Sequence, residues 1–333
     1  MTEAAGTEYT LITGASGFLG FHLIEAALLQ DYEVYAGVRR SSNTTHLDTK
    51  KVTIVELDMS DASSIKKTLD LHGIDYIIHA AALTRAKTAS DYNFSNAALT
   101  RNLAIAAIGA DTHIKKFVFI SSLAALGPSA DGEPVKEDDI PHPLTWYGKS
   151  KLLAEHYLKE IPSLPLIVLR PTAVYGPREK DLLLLIKSVK KGLEVYIGRG
   201  KQKLSFVYVK DLAAIAVKCL ESEINGEFYN ISDGHVYDQY AFADAAKKAT
   251  GKKTFRLHLP LGLIKKVATG MDKLYSRSSK TPVLNEDKVK ELTAADWSCS
   301  ISKIAKDQGY SPLYDLENGM AETIAWYKEN KWI

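Results

Sequence analysis

The sequence predicts an α/β fold in which a doubly wound parallel sheet is covered by helices on both faces, with a smaller α/β lobe towards the C-terminus. Strand-like segments alternate with helical patterns over the first half of the chain. The strand-like segments, such as residues 52–57 and 116–120, are almost continuously apolar, as strands buried on both faces are. Small or polar residues follow these strands, and the carboxyl ends of parallel strands share one edge of the sheet. We therefore expect a ligand site at that edge.

The first strand–helix turn is rich in glycine. Within residues 10–30, an apolar run leads into Gly14, Gly17 and Gly20, and an apolar-rich helical pattern follows. This spacing differs by one residue from the G-x-G-x-x-G fingerprint, but the glycines have the same physical effect. The backbone can approach a pyrophosphate, which the N–H groups and the dipole of the helix stabilise. The turn predicts a Rossmann-type dinucleotide site, and the alternative is a strand–helix turn that binds no ligand.

Composition and charge exclude several classes of function. The 333 residues are 46% apolar and 25% charged, and 42 Lys and Arg against 40 Asp and Glu give a net charge of +2, which indicates no nucleic-acid partner. Cys219 and Cys299 are far apart and suggest neither a metal site nor a disulfide framework. The N-terminus is polar and acidic, unlike a signal peptide, and no apolar run approaches the ~20 residues that span a bilayer. We expect a cytoplasmic protein without a membrane partner.

The end of the second predicted strand, residues 32–38, indicates which dinucleotide binds. Dinucleotide-binding folds place the residue that contacts the adenosine ribose about 20 residues beyond the glycines, and a carboxylate there indicates NAD. This chain has Arg39 and Arg40 instead, and either guanidinium can pair with a 2′-phosphate. NADP(H) is therefore the expected cofactor, with NAD(H) as the alternative. If Arg39 and Arg40 bind no cofactor, they are simply two solvated basic residues at the end of a strand.

Two further strand ends carry candidate contacts. Asp58 follows the third strand, where its carboxylate can accept a hydrogen bond from an adenine amino group or cap the helix that begins near Asp61. Three alanines, residues 80–82, follow the fourth strand and allow a ligand or another backbone to approach closely. His79, in the apolar run before them, is expected to be a core histidine and not a catalyst.

A segment beyond the fifth strand carries residues suited to proton transfer. Tyr147 and Lys151 have the i, i+4 spacing of one helical face, ahead of a helical pattern over residues 152–160. A phenol with a pKa of about 10 is a poor base at neutral pH, and a neighbouring ammonium lowers that pKa. Ser122, after the fifth strand, can hydrogen-bond the same substrate oxygen. These residues predict interconversion of a C–OH and a C=O group, with nicotinamide taking or giving the hydride.

Eight motifs, in order along the chain, resemble those of the extended short-chain dehydrogenases/reductases. They are TGASGFLG at residues 13–20, LDMSD at 57–61, HAAA at 79–82, SSLAALG at 121–127, YGKSK at 147–151, LRPTAVYGPR at 169–178, SFVYVKDLA at 205–213 and YNISDG at 229–234. The resemblance implies that Tyr147 is the general acid/base, that Lys151 is its electrostatic partner and bonds the nicotinamide ribose, and that Ser122 binds the substrate oxygen. The residues expected to contact the dinucleotide are Gly14, Ser16, Gly17, Phe18, Leu19, Gly20, Arg39, Asp58, Met59, Ala80, Ala81, Ala82, Tyr147, Lys151, Pro171 and Val174.

The chain could belong to either of two branches of this family, the sugar epimerases or the reductases and hydroxysteroid-type dehydrogenases. Sugar epimerases usually have an acidic residue after the second strand, whereas the VRR run at residues 38–40 resembles the dihydroflavonol reductase and 3β-hydroxysteroid dehydrogenase branch. Dehydration is disfavoured because residues 122–124, SLA, replace the Thr-Asp-Glu of dehydratases. We therefore expect an NAD(P)-dependent oxidoreductase, with a nucleotide-sugar epimerase as the alternative. A regulator that binds the dinucleotide without chemistry is disfavoured because Tyr147 and Lys151 are both present.

The resemblance also divides the chain. Residues 1–175 and about 205–232 are assigned to the dinucleotide-binding domain, and residues 176–204 and 233–333 to an interleaved substrate-binding lobe. Thr84, Ser122 and Arg178 are candidate contacts of a small-molecule substrate. Arg178 and Arg199 can pair with the diphosphate of a sugar nucleotide, and the alternative is that both are solvated surface residues. Residues 259–275 predict an amphipathic helix packed on the core. Extended family members are often dimers, so we expect a homodimer through helices near residues 96–109 and 150–160.

Overall fold

The computed structural model describes residues 7–275 and 284–333, so residues 1–6 of the predicted dinucleotide-binding domain and 276–283 of the predicted lobe lie outside the described part. The strands are β1 Tyr9–Thr13, β2 Glu33–Val38, β3 Val52–Glu56, β4 Tyr76–His79, β5 Lys116–Ile120, β6 Leu166–Pro171, β7 Ala173–Tyr175, β8 Leu193–Ile197, β9 Lys203–Leu204, β10 Phe206–Tyr208, β11 Glu227–Ile231, β12 Tyr237–Asp238, β13 Phe255–Leu259 and β14 Asp296–Trp297. The α-helices are α1 Phe18–Leu28, α2 Ala62–Leu71, α3 Ala89–Asn93, α4 Leu99–Gly109, α5 Trp146–Lys159, α6 Leu183–Lys190, α7 Val209–Lys218, α8 Ala241–Thr250, α9 Leu261–Tyr275, α10 Glu286–Thr293, α11 Ser302–Gln308 and α12 Leu316–Glu329.

A parallel sheet of seven described strands forms the centre, in the order β11-β6-β5-β4-β1-β2-β3. The strand order reverses between β1 and β4, and ligands of doubly wound folds bind outside the carboxyl ends of the strands at such a reversal. The glycine turn follows β1 and the three alanines follow β4, so both lie at this point. The prediction of a Rossmann-type doubly wound sheet is confirmed.

The sheet is buried on both faces except at its edge strand β3, where Thr53, Ile54 and Glu56 are exposed and the expectation of burial on both faces is wrong. Leu11 and Ile12 are neighbours in β1 and point to opposite faces, yet each is at most 1% exposed. Ile12 packs in one core with Leu23 of α1 and Leu212 of α7, whereas Leu11 packs in a second core that α2, α4 and α5 cover. Burying a side chain of this size contributes about 1.5–3 kcal/mol to stability.

Two helices have features that the sequence pattern did not show. The helical stretch predicted over residues 92–110 is present, but it begins at Ala89 as α3 and passes through a π-helical turn at Phe94–Ala98 before α4. Such turns are uncommon and occur often at functional sites. Helix α5 begins at Trp146, well before residue 152, because the Thr145 hydroxyl accepts the Gly148 N–H at 3.1 Å and caps the helix.

The C-terminal elements form a smaller assembly beside the sheet. Strands β8 and β13 pair in parallel, and α6, α8 and α12 enclose a third apolar core. Helix α11 departs from the predicted division, because Ile304 belongs to the core over the sheet and α11 lies against β11. Within the described ranges, no helix combines the length and the apolar character needed to cross a bilayer. The homodimer stays a prediction; on α4, Ile105 and Ile108 are exposed where it was expected.

Candidate active site

The glycine turn packs backbone against backbone. Gly14 has φ of +71°, and a Cβ atom there would lie 2.7 Å from the Ala81 nitrogen and 2.9 Å from the Ala80 carbonyl oxygen. A Cβ on Gly20 would overlap the Gly14 carbonyl oxygen. Side chains at these two positions would therefore force the strand ends and α1 apart. This close approach accounts for two of the three glycines without reference to a ligand.

The start of α1 fits an anionic group. Gly17 is the N-cap of the helix and provides no side-chain acceptor for the first N–H groups, those of Phe18 and Leu19. Such N–H groups need partners, and the positive end of the helix dipole favours a negatively charged one. Gly17 is exposed, and Ser16 beside it is half-buried. The predicted dinucleotide phosphates fit this cradle.

His79 is a structural residue, as the sequence analysis expects. Its ring lies between the hydroxyls of Thr13, 2.6 Å from Nδ1, and Thr100, 2.8 Å from Nε2. The Thr100 hydroxyl donates to the Asn96 carbonyl, so we assign the imidazole proton to Nε2, which leaves Nδ1 to accept from Thr13. Burial, together with the charge of Lys151, lowers the pKa of His79 to about 3, and the ring is neutral.

Asn96 links the loop after β4 to α5. This fully buried residue lies in the π-helical turn, where its side-chain amide accepts the Leu83 N–H at 2.7 Å and donates to the Leu83 carbonyl at 3.0 Å. The amide also donates to the Ser150 hydroxyl at 3.0 Å, and that hydroxyl donates to the Tyr147 carbonyl at 2.7 Å. Asn96 was not predicted as a site residue; its only signal is an amide side chain in a helical stretch rich in alanine and leucine, which Asn102 shares.

The cofactor-selecting end of β2 is an exposed turn. Arg39 and Arg40 are both exposed, directly after the last residue of β2. The Ser42 N–H donates to the Arg39 carbonyl at 2.9 Å and closes the turn. The turn therefore presents two guanidinium groups and no carboxylate at the position predicted to contact the ribose.

The turn after β3 shows which aspartate caps helix α2. The helix cap is Asp61, whose carboxylate accepts the Ser63 N–H at 2.9 Å. Asp58 instead accepts from the N–H and the hydroxyl of Ser60 at 2.9 and 2.7 Å, and these bonds lower its pKa. The neighbouring Met59 carbonyl accepts from the Asn102 side chain at 3.1 Å. Asp58 is exposed and does not cap α2, so adenine contact remains its predicted role.

The hydroxyls of Ser122 and Tyr147 are brought together. Ser122 ends the extended segment after β5, and its hydroxyl oxygen accepts the Ala124 N–H at 3.2 Å. The Ser122 hydroxyl interacts with the Tyr147 hydroxyl and acts to lower its pKa. The Tyr92 ring packs edge-on against Tyr147, with ring centroids 6.4 Å apart. Two predicted catalytic groups therefore meet at the carboxyl edge of the sheet.

The expected lowering of the Tyr147 pKa is wrong for this chain. Tyr147 is half-buried as a whole, but protein atoms surround its hydroxyl, and this burial raises its pKa to about 12. Glu291 and Tyr92 act in the same direction. The Lys151 ammonium is not among the groups that shift this pKa: it donates to the Ile120 carbonyl at 2.7 Å and lies 4.2 Å from the Phe119 ring centroid.

A buried ion pair lies behind Lys151. Glu155, one helical turn further along α5, accepts two hydrogen bonds from the Arg170 guanidinium at 3.0 and 2.8 Å, and the Ser121 hydroxyl also donates to it. Burial lowers the pKa of Lys151 to about 7, and the Glu155 carboxylate opposes that shift. Sequence reasoning missed this pair, although an arginine inside the apolar strand β6 signals a buried partner.

The remaining predicted contacts occupy varied environments. Pro171 is buried at the end of β6, and Val174 is half-buried in β7. Thr84 is exposed, and its carbonyl accepts the Tyr92 hydroxyl at 3.2 Å. Through this bond the loop that carries Thr84 is held next to the aromatic pair of Tyr92 and Tyr147.

Arg178 lies in surroundings that its predicted role did not anticipate. Its guanidinium stacks over the Phe21 ring of α1, 4.0 Å from the centroid. Burial lowers the pKa of Arg178 and the nearby Glu25 opposes this effect. The residue also has φ of +76°, which is unusual for a side chain other than glycine. The structure thus gives Arg178 a packing role on α1, and a diphosphate contact is not needed to explain it.

Helix α10 borders the site, which the sequence did not indicate. The Trp146 N–H at the start of α5 donates to the Asp287 carboxylate of α10 at 2.8 Å. Glu291, one turn further along α10, lies close enough to raise the pKa of Tyr147, and both carboxylates raise that of Tyr92. The C-terminal part of the chain therefore reaches the predicted catalytic residue.

Replacing Lys151 by methionine should stabilise the protein. The folded chain releases the Lys151 proton near pH 7 and the unfolded chain near 10.5, so burying the charged form costs most at or below pH 7. We expect Lys151→Met to raise the melting temperature by about 2–4 °C near pH 6.5, with the gain shrinking towards pH ~10. Calorimetry should show no such pH dependence for the exposed Lys149→Met. A melting temperature below that of the wild type near pH 6.5 would contradict the assignment.

Comparison with known proteins identifies the family. The sequence model described as the NAD dependent epimerase/dehydratase family matches residues 10–232. Ceramide reductase from Caulobacter vibrioides is 27% identical over 335 residues, covering 100% of this chain and 98% of that protein. UDP-glucose 4-epimerase from Vibrio cholerae is 30% identical over 330 residues, covering 94% and 93%. The crystal structure of UDP-glucose 4-epimerase from Thermotoga maritima with UDP-glucose shares the fold, with a TM-score of 0.79, 22% identity and coverage of 97% and 99%. The chain therefore belongs to the NAD-dependent epimerase/dehydratase family, among the extended short-chain dehydrogenases/reductases, and is an enzyme.

Proposed function

We propose that this enzyme is an NADP(H)-preferring oxidoreductase that interconverts a carbonyl group and a secondary alcohol. The observation that carries the proposal is the meeting of the Ser122 and Tyr147 hydroxyls, with Lys151 one turn along the same helix. These groups lie at the edge of the sheet that also carries the glycine turn. A bound nicotinamide dinucleotide supplies or accepts the hydride, and the chain itself has to hold the substrate oxygen and move a proton.

Tyr147 is the proposed proton carrier, and its environment favours the acid role. With a pKa raised to about 12, the phenol is protonated at neutral pH and can donate a proton to a carbonyl oxygen that is being reduced. Ser122 donates a hydrogen bond that orients the same oxygen. In the reverse direction Tyr147 must first lose its proton. The hydrogen bond from Ser122 acts to lower the Tyr147 pKa and makes that loss less costly.

The cofactor preference rests on the turn after β2. Arg39 and Arg40 are exposed there, and the turn contains no carboxylate that would accept from a ribose 2′-hydroxyl. A guanidinium at this position can instead pair with the two oxygens of a 2′-phosphate. The family is NAD-dependent as a whole, so the preference for NADP(H) is a property we propose for this chain in particular.

A nucleotide-sugar 4-epimerase is the second candidate. The supporting observation is the 30% identity to an enzyme named UDP-glucose 4-epimerase, spread over nearly the whole of both chains. Three features count against it: the arginines after β2, the stacking of Arg178 on Phe21, and the aromatic Tyr92 and Trp146 beside Tyr147. The relative named ceramide reductase supports the oxidoreductase instead.

A substrate panel with Tyr147→Phe tests the function. We expect NADPH oxidation with a panel of ketones and aldehydes that includes long-chain and sterol ketones, and no isomerised product from UDP-, GDP- or dTDP-sugars. Because the phenylalanine has no proton to donate, kcat should fall by ~10²-fold or more while dinucleotide binding persists. Tyr157→Phe, on the outer part of the same helix, is the matched control and should keep its activity. Near-normal turnover by Tyr147→Phe refutes the acid role, and an epimerised sugar refutes the oxidoreductase.

Cofactor titrations test the role of Arg39. We expect the purified enzyme to bind NADPH more tightly than NADH, and Arg39→Ala to weaken NADPH binding by about tenfold or more, the scale of a lost charge-assisted contact. NADH affinity should not change, because NADH has no 2′-phosphate. Arg199→Ala, an exposed arginine of the C-terminal part, is the control and should change neither affinity. Equal affinities of the wild type for the two cofactors would contradict the proposed preference.

A further inference from the structure

The two-stranded ribbon of β8 and β13 buries the Glu194 carboxylate on one face and exposes apolar side chains on the other. Its register pairs Leu193 with Phe255 and Val195 with Leu257, so the four side chains share one face, and all four are exposed. Phe255 is 69% exposed, whereas Glu194 on the opposite face is 3% exposed. A soluble ribbon normally shows the reverse arrangement.

The buried charge of Glu194 is paired, which makes this arrangement stable. Glu194 accepts from Lys247 of α8 at 2.9 Å and from Arg256 of β13 at 3.0 Å, and Thr254 and Tyr196 donate to it as well. These bonds hold its pKa at about 2, against the opposing effect of burial. The polar face of the ribbon is therefore fixed against α8, and the apolar face cannot turn inward.

Helix α9 extends this apolar face. It packs through Ile264 and Ala268 on the ribbon residues Ile197 and Leu259, which follow the exposed residues on the same face. The helix buries little else, although the sequence analysis predicts that it packs on the core. Leu263, Val267 and Leu274 lie along a second stripe of the helix and are exposed; Leu274 is 77% exposed.

Exposed lysines lie next to this apolar surface in the sequence. Lys190 and Lys191 precede β8, Lys252 and Lys253 precede β13, and Lys265 and Lys266 lie on α9; all six are exposed. Among the residues that the structure describes, none of the six forms a salt bridge, in contrast to Lys247 and Lys248 on α8. Exposed apolar side chains next to lysines are typical of segments that bind at the surface of an anionic membrane.

We propose that the β8–β13 ribbon and α9 form a docking surface for an anionic lipid bilayer. The apolar residues would enter the boundary between headgroups and acyl chains, and the six lysines would lie at the level of the lipid phosphates. The occupant is a membrane and not a second copy of the chain, because six like charges beside an apolar patch repel a copy of themselves and attract anionic lipid. The proposal departs from the expectation of no membrane partner, which concerned spanning segments.

The docking surface adjoins the candidate active site. Helix α9 packs on α10, where the Thr269 hydroxyl donates to Glu286 at 2.8 Å and the Glu286 N–H donates to Asp272 at 3.1 Å. Helix α10 in turn binds the start of α5 through Asp287 and Trp146. Docking would thus place the membrane one helix away from Tyr147. The surface and the reaction are independent claims, and either one can fail alone.

Vesicle sedimentation tests the proposal. We expect the full chain to pellet with vesicles of phosphatidylcholine and phosphatidylglycerol at low salt, to bind pure phosphatidylcholine at least tenfold more weakly, and to be released by high salt. The double variant Lys265→Gln/Lys266→Gln and the double variant Leu263→Gln/Val267→Gln should each weaken binding by about tenfold or more. The control Leu71→Gln/Leu313→Gln removes two leucines elsewhere that are even more exposed, and it should bind as the wild type does.

Three results would overturn the proposal. The first is no binding to anionic vesicles. The second is that the two double variants of α9 bind anionic vesicles as well as the control variant does. Unchanged melting temperatures would show that these variants are folded. The third is light scattering that shows an oligomer of the wild type converted to a smaller species by Leu263→Gln/Val267→Gln, since a second copy of the chain would then cover the surface.

Discussion

The candidate site is built around a lysine placed where its charge is costly. Lys151 is 1% exposed, and its amine has a carbonyl oxygen and an aromatic face as neighbours in place of water. Glu155 is the charged group that favours the ammonium form, and Glu155 is itself held by Arg170 and Ser121. A buried charge of this kind lowers stability unless its partners are complete. One helical turn of α5 and one arginine of β6 therefore set the electrostatic surroundings of Lys151.

The site is rigid because backbones, not flexible side chains, set its edges. The carbonyl and nitrogen atoms of residues 80–81 approach Gly14 so closely that only glycine fits there. His79, fixed as a neutral ring between two threonine hydroxyls, holds β4 against β1 at the same level. Asn96 then joins the loop after β4 to α5. The predicted phosphate cradle and the predicted proton carrier are thus connected through buried hydrogen bonds.

The sequence predicted the sheet, the glycine turn and the residues Ser122, Tyr147 and Lys151, because these follow from local spacing and from the order of elements. It did not predict the direction of the Tyr147 pKa shift. The i, i+4 spacing places Lys151 on the same helical face as Tyr147, but it does not show how completely the Tyr147 hydroxyl is shielded from water. It missed the pair of Glu155 and Arg170, whose partners meet only when α5 packs on β6. The sequence also did not predict that the apolar face of the β8–β13 ribbon points outward. Alternating apolar and polar residues show that a strand has two different faces, but not which face the rest of the lobe covers.

In the proposed reaction this chain holds Tyr147 as a neutral proton donor. An ultraviolet titration of tyrosinate absorbance, taken as the difference between the wild type and Tyr147→Phe, measures the ionisation of that one phenol without a substrate. We expect no difference up to pH ~10, where an ordinary tyrosine is half ionised, because burial raises the pKa of Tyr147 to about 12. Ionisation of this phenol below pH ~10 in the wild type would show that Tyr147 is not held in its neutral form.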